Sequence, residues 1–189
     1  SAVRRCVEYG VRTIEHATLI DADTAAFVAA RGAFVVPTMT ILFTLVEIGR
    51  ELGFPAVSQQ KAEIACAQAL SGLDLMRRAG VKLCYGTDLL GATYPHQCRE
   101  FTLRREVFTP LELLRQATSI PAEMMLMQGR IGCVAEGACA DLIVVDGDPL
   151  ADIGLLAASG ARLPAIMRAG GWKSINVLGR YLELAEHNV

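Results

Sequence analysis

No Gly-x-Gly-x-x-Gly or Walker-type loop follows any apolar run in this 189-residue chain. That absence excludes the folds that cradle a phosphate on such a loop at the start of a helix. A basic stripe is missing too. Eighteen Lys and Arg are interspersed with 20 Asp and Glu for a net charge of −2, which leaves no electrostatic footprint for nucleic acid. The longest uncharged run, Gly32 to Val46, is broken by Pro37 and three threonines, and it falls short of the ~20 apolar residues a bilayer-spanning helix needs. The opening residues, Ser1-Ala2-Val3-Arg4-Arg5-Cys6, carry no apolar h-region of a signal peptide. There is no Cys-x-x-Cys pair among Cys6, Cys66, Cys84, Cys98, Cys133 and Cys139. Buried free thiols in a reducing, cytoplasmic setting are expected, rather than a disulfide framework or a zinc cluster.

What the chain does have is apolar residues. They make up 52% of it, with a mean hydropathy of +0.36. For one soluble domain this is rich, so much of the surface is expected to meet other protein, or part of the fold lies outside these residues.

Three stretches repeat one pattern: Tyr9 to His16, Arg31 to Thr38 and Ala79 to Asp88. Each reads as a helix end, a glycine, a short apolar strand and a polar tip. Glycine just past a helix supplies the left-handed residue that ends it, and a short unbroken apolar run suits a strand buried on both faces. Between them, Asp21 or Asp23 can cap a helix that runs to Gly32. Ala62, Cys66, Ala69, Leu73 and Met76 recur at helical spacing as a core-facing stripe that ends at Gly80. Thr109-Pro110-Leu111-Glu112 has the capping-box pattern, with Pro at the first helical position. Strands alternating with helices predict an α/β fold with a parallel sheet.

After Gly129 the character changes. Ile131-Gly132, Glu136-Gly137, the run Leu142 to Val145, the turn Asp146-Gly147-Asp148-Pro149 and a late strand around Pro164 to Arg168 predict a small β-rich module. We therefore divide the chain into residues 1–130 and 131–189.

In parallel α/β folds functional side chains gather at the carboxyl ends of the strands. The three tips here carry His16, Thr38 and Asp88, whereas Lys82 lies at the opposite end of its strand. Imidazole and carboxylate suit a zinc-like ion, and a carboxylate can also take a proton from a bound water.

Thr13-Ile14-Glu15-His16-Ala17, Val36-Pro37-Thr38, Gly86-Thr87-Asp88 and the tail from Gly132 to Leu150 together resemble the amidohydrolase superfamily, in its imidazolonepropionase-like and Xaa-Pro-dipeptidase-like branch. The resemblance implies a (β/α)₈ TIM barrel beside a small β-sandwich, of which this chain holds about strands 6–8 and part of the sandwich. It implies one or two divalent metal ions, with zinc the first choice, held by His16 and Asp88. Asp88 is then also the catalytic group that shuttles a proton between attacking water and leaving group. His96 corresponds to a substrate-side histidine in the loop after strand eight, and Thr38 shapes the substrate pocket.

The implied activity is hydrolysis of an amide C–N bond in a small dipeptide-like or cyclic substrate by metal-activated water. The chain also departs from the family. Its only histidines are His16, His96 and His187, so the first-strand His-x-His pair is absent, and Lys61, Lys82 and Lys173 fall in the wrong elements for the family's metal-bridging lysine. Three strands also stand where such a barrel has eight in ~250 residues. The expected partners are therefore a small-molecule or dipeptide substrate and an upstream half-barrel of the same protein or a complementing chain, with self-association open. No nucleic acid or membrane partner is expected. The rival reading is a catalytically incomplete chain that serves as a binding or scaffold module.

Overall fold

The computed structural model describes residues 1–143 and 145–158. The elements run α1 (Ala2–Glu8), β1 (Thr13–Glu15), α2 (Ala22–Ala30), β2 (Phe34–Val36), α3 (Met39–Ile48), α4 (Ala56–Ala79), β3 (Lys82–Leu83), a 3₁₀ helix (Gly91–His96), α5 (Arg99–Arg104), α6 (Pro110–Ala117), α7 (Ser119–Met124) and α8 (Gly154–Ala158). Each strand follows a helix closed by a glycine. Gly10, Gly32 and Gly80 have φ of 89°, 63° and 76°, which lets the chain turn out of the helix without a Cβ clash.

The three strands lie in the order β1-β2-β3 with both pairings parallel. They are shorter than the apolar runs that announce them, and backbone pairing continues past their ends. His16 N donates to Val36 O at 2.8 Å, and Cys84 N donates to Val35 O at 2.9 Å. Ile14, Val35 and Leu83 stand side by side across the sheet and all enter the buried core with Val28, Leu73 and Met76. The row sets the register, because a one-residue slip would send all three side chains to the opposite face.

The predicted helix signals are present. Asp21 caps α2, accepting from Thr24 N at 2.7 Å, and this bond chiefly holds its carboxyl below the usual carboxylate range. Thr109 and Glu112 close a reciprocal capping box on α6. In α4, Ala62, Ala69, Leu73 and Met76 are buried as the stripe requires, while Cys66 is only half covered.

One expectation needs correcting. All six cysteines are free, but only Cys84 is buried. Cys6, Cys133 and Cys139 are exposed, because α1 and the segment after Gly129 pack on few neighbours here. Of the segment expected to form a β-rich module, the described residues between 131 and 158 hold turns and α8 and no strand. The run Leu142 to Val145 includes Val144, and the strand proposed at Pro164 to Arg168 lies wholly outside the described residues. Leu142 and Ile143 are exposed, as expected for an apolar run without a neighbouring strand to pair with.

The apolar excess lies on the surface. Tyr9 and Val134 are each 88% exposed and Leu90 is 71% exposed. Among the described residues β1 and β3 each pair on one side only, so the sheet presents two open edges. No described helix is long and apolar enough to cross a membrane.

Candidate active site

The parallel sheet brings three of the predicted side chains together at its carboxyl end. His16 Nδ1 lies 2.7 Å from Thr38 Oγ1, and its Nε2 lies 3.9 Å from Asp88 Oδ2. The imidazole thus bridges the tips of β1, β2 and β3. When Nδ1 carries the proton it donates to Thr38, which leaves the Nε2 lone pair directed toward Asp88. An outer partner on one nitrogen that fixes the free pair on the other is the usual preparation of a metal-ligating histidine. Side chains of His16 and Asp88 are half exposed, at 54% and 51%, whereas Thr38 is buried at 4%.

The backbone at these tips is strained. His16, Ala17, Thr38 and Asp88 have φ of 70°, 52°, 48° and 52°. They supply four of the five left-handed non-glycine residues among those described. Asp tolerates this region, but a β-branched Thr is a true outlier there. Such residues cost on the order of 1–3 kcal/mol each and persist only where the surroundings over-determine them.

What over-determines Thr38 lies in a distant segment. Thr38 occupies the N-cap position of α3 but makes no side-chain capping bond, because its hydroxyl is turned to His16. The exposed first-turn N–H groups are met instead by Glu100. Its carboxylate accepts from Met39 N at 3.1 Å, Thr40 N at 2.7 Å and Thr40 Oγ1 at 2.6 Å. A carboxylate at a helix N-terminus is favoured by both hydrogen bonding and the helix dipole. Arg104 completes the arrangement. Its Nε and Nη2 each approach Glu100 Oε1 at 2.7 Å, and its Nη1 donates to Cys84 O at 3.0 Å and Gln116 Oε1 at 2.8 Å. Both Glu100 and Arg104 have no exposed surface. Reading the sequence missed this pair.

Gly86 has a packing reason. A Cβ there would overlap Val36 Cγ1, so only glycine lets the Gly-Thr-Asp turn pass over the end of β2. Gly86→Ala is expected to cost about 1–3 kcal/mol, measured by denaturant unfolding, and to displace Asp88 from His16. Cys84, two residues earlier, is inert. Burial pushes its thiol up to about 11, so it stays protonated at neutral pH and is no nucleophile. Burial chiefly also raises the Tyr85 phenol. The Tyr85 ring packs 4.4 Å from Phe101 between centroids, and its hydroxyl donates to Gln97 O at 2.7 Å.

The remaining sequence candidates lie elsewhere. His96 ends the 3₁₀ helix, is exposed, and is felt electrostatically at Glu47 of α3. It makes no hydrogen bond or ion pair with His16, Thr38 or Asp88. Lys82 pairs with Glu123 at the opposite end of β3, as its strand position predicts. His187 and Lys173 are outside the described residues. Among the described residues no cluster of three or more His, Cys, Asp or Glu side chains could hold a metal ion unaided. His16 and Asp88 fit two donors of such a site, one imidazole and one carboxylate, and a stable site needs three or four.

The arrangement defines a parallel βα protein whose polar site sits where the strands end. The chain belongs to the amidohydrolase family, whose sequence profile matches residues 1–169. It is similar to a prolidase solved in complex with N-methylphosphonate-L-proline, with 45% identity and a TM-score of 0.82 over 85% of this chain and 40% of that one. A Xaa-Pro dipeptidase with methionine bound in its active site is 27% identical, with a TM-score of 0.73, over 82% of this chain and 39% of its own. In sequence, ochratoxinase of Aspergillus niger is 24% identical over 154 residues, which is 81% of this chain and 32% of that protein. The chain thus spans well under half the length of these relatives. The solved relatives have the amidohydrolase fold of the TIM-barrel superfamily, with mixed helix and sheet.

Proposed function

We propose that this chain is part of a metal-dependent amidohydrolase that cleaves the amide bond of a small dipeptide-like substrate, with a proline-terminated dipeptide preferred over a cyclic amide. The prolidase and Xaa-Pro dipeptidase relatives support the dipeptide preference. The observation that carries the reading is the His16 imidazole held by Thr38 on one nitrogen and turned toward Asp88 on the other. In this reading β1, β2 and β3 are the sixth to eighth strands of the barrel, residues 131–189 belong to a small β-sandwich, and the protein works in a reducing cytoplasm where its thiols stay free.

One or two divalent ions, zinc foremost, held by His16 Nε2 and Asp88 with further donors from outside this chain, would supply Lewis-acid polarisation of the amide carbonyl and acidify the attacking water. Asp88 takes the proton from that water and returns it to the leaving amine. Thr38 keeps the His16 tautomer and ring orientation fixed and narrows the pocket floor. His96, exposed at the end of the 3₁₀ helix that follows β3, is assigned to the substrate side in this reading. The lack of a third donor among the described residues favours a site completed by other residues of the same protein or by a complementing chain, rather than an autonomous one. A scaffold role without catalysis is the competing outcome.

The test is release of free proline from a panel of Xaa-Pro dipeptides by the full-length polypeptide. We expect turnover that is lost on chelation and restored by zinc. Metal-loaded protein that cleaves neither the dipeptides nor cyclic amides would refute the hydrolase reading and leave the scaffold one.

A further inference from the structure

We propose that Glu100 and Arg104 are positioning residues for the His16 site, forming a buried clamp that ties the tip of β2 to the tip of β3. The proposal rests on the hydrolase reading above for its kinetic consequence, but its structural claim stands on geometry alone.

A threonine at the N-cap of a helix normally turns its hydroxyl onto the N–H groups of the first turn. Thr38 does not, because its left-handed backbone directs Oγ1 to His16 Nδ1. The hydroxyl is free to do so only because Glu100, about 60 residues further along the chain, caps α3 in its place with three hydrogen bonds. Remove that carboxylate and the first-turn N–H groups compete for the Thr38 hydroxyl, since buried donors must be satisfied. The relaxed turn would let go of His16 Nδ1. Arg104 carries the same clamp to the other side of the site. By holding Glu100 Oε1 and Cys84 O together, it fixes the spacing between the start of α3 and the strand that leads through Gly86 to Asp88. The ring of Tyr85 lies over the guanidinium at 5.6 Å and helps keep water from the pair.

The experiment uses full-length protein in two forms, Glu100→Gln and Glu100→Asp. The first keeps the shape of Glu100 but not its charge. The second keeps the charge but, one methylene shorter, withdraws the carboxylate from Met39 N and Thr40 N, and serves if the first does not fold. The primary readout is the ¹⁵N resonances of His16, which report the tautomer and the hydrogen bond at Nδ1. The second is kcat and KM on a Xaa-Pro dipeptide. We expect the Nδ1 signature to be lost or averaged, with kcat down about 10- to 100-fold, the range for outer partners of a metal ligand, and KM nearly unchanged. Folded variants with wild-type His16 resonances would overturn the clamp, whatever their activity. A wild-type protein inactive on every amide offered would overturn the hydrolase reading instead, and the resonances would still decide the clamp.

Discussion

Asp88→Asn in the full-length polypeptide is expected to lower kcat for amide hydrolysis by about 10²- to 10⁴-fold, the usual worth of a positioned proton-transfer group. Asparagine is the informative replacement. Asp88 sits at φ 52°, a region that Asn enters as readily as Asp but that burdens alanine with backbone strain. The side chain is half exposed, and among the described residues its one ion-pair contact is with His16 at 3.9 Å. The fold should therefore survive the change, and thermal unfolding should coincide with wild type. A residue that merely closed the turn after β3 would be replaced by Asn without consequence. Near-wild-type turnover would remove Asp88 from the chemistry.

The second large effect is on stability. Glu100→Leu should destabilise the protein by about 3–5 kcal/mol, the cost of breaking a fully buried ion pair by removing one partner. Arg104→Met should cost less. The asymmetry follows from what each charge keeps. Without Arg104, the Glu100 carboxylate still accepts from Met39 N, Thr40 N and Thr40 Oγ1 at the positive end of a helix. Without Glu100, the guanidinium retains only the neutral oxygens Cys84 O and Gln116 Oε1. Urea unfolding of the two variants checks the order. Equal losses, or a larger loss for Arg104→Met, would mean that the helix N-terminus is not what holds Glu100.

The sheet and three of its polar tips were legible because their signals are local. A glycine past a helix, a short run with apolar residues and a polar tip can be read in order, and the resulting strands place His16, Thr38 and Asp88 on one side without further information. The stripe from Ala62 to Met76 is equally local, since its period alone assigns a face. Glu100 and Arg104 failed the same reading for a physical reason. Four residues apart in the charged stretch Arg99-Glu100-Phe101-Thr102-Leu103-Arg104-Arg105-Glu106, they look like an ordinary exposed helix pair, and charged residues are almost never fully buried. What distinguishes them is their partner, the N-terminus of α3, which lies about 60 residues away. The strain at Thr38 was invisible for the same cause, because a left-handed threonine is imposed by tertiary contacts and carries no mark in the sequence. The cysteines erred in the other direction. Apolar neighbours in sequence predicted burial, but the faces of α1 and α4 that carry Cys6 and Cys66 are not fully covered by the described residues.

If the strand tips hold two donors of a metal site, the protein must carry metal that depends on His16. Metal content per polypeptide, measured by plasma mass spectrometry on full-length wild-type and His16→Ala protein purified side by side, tests it most directly. At least one divalent ion per wild-type chain and a clear loss of metal in the variant are expected. Equal metal content in the two proteins would contradict it.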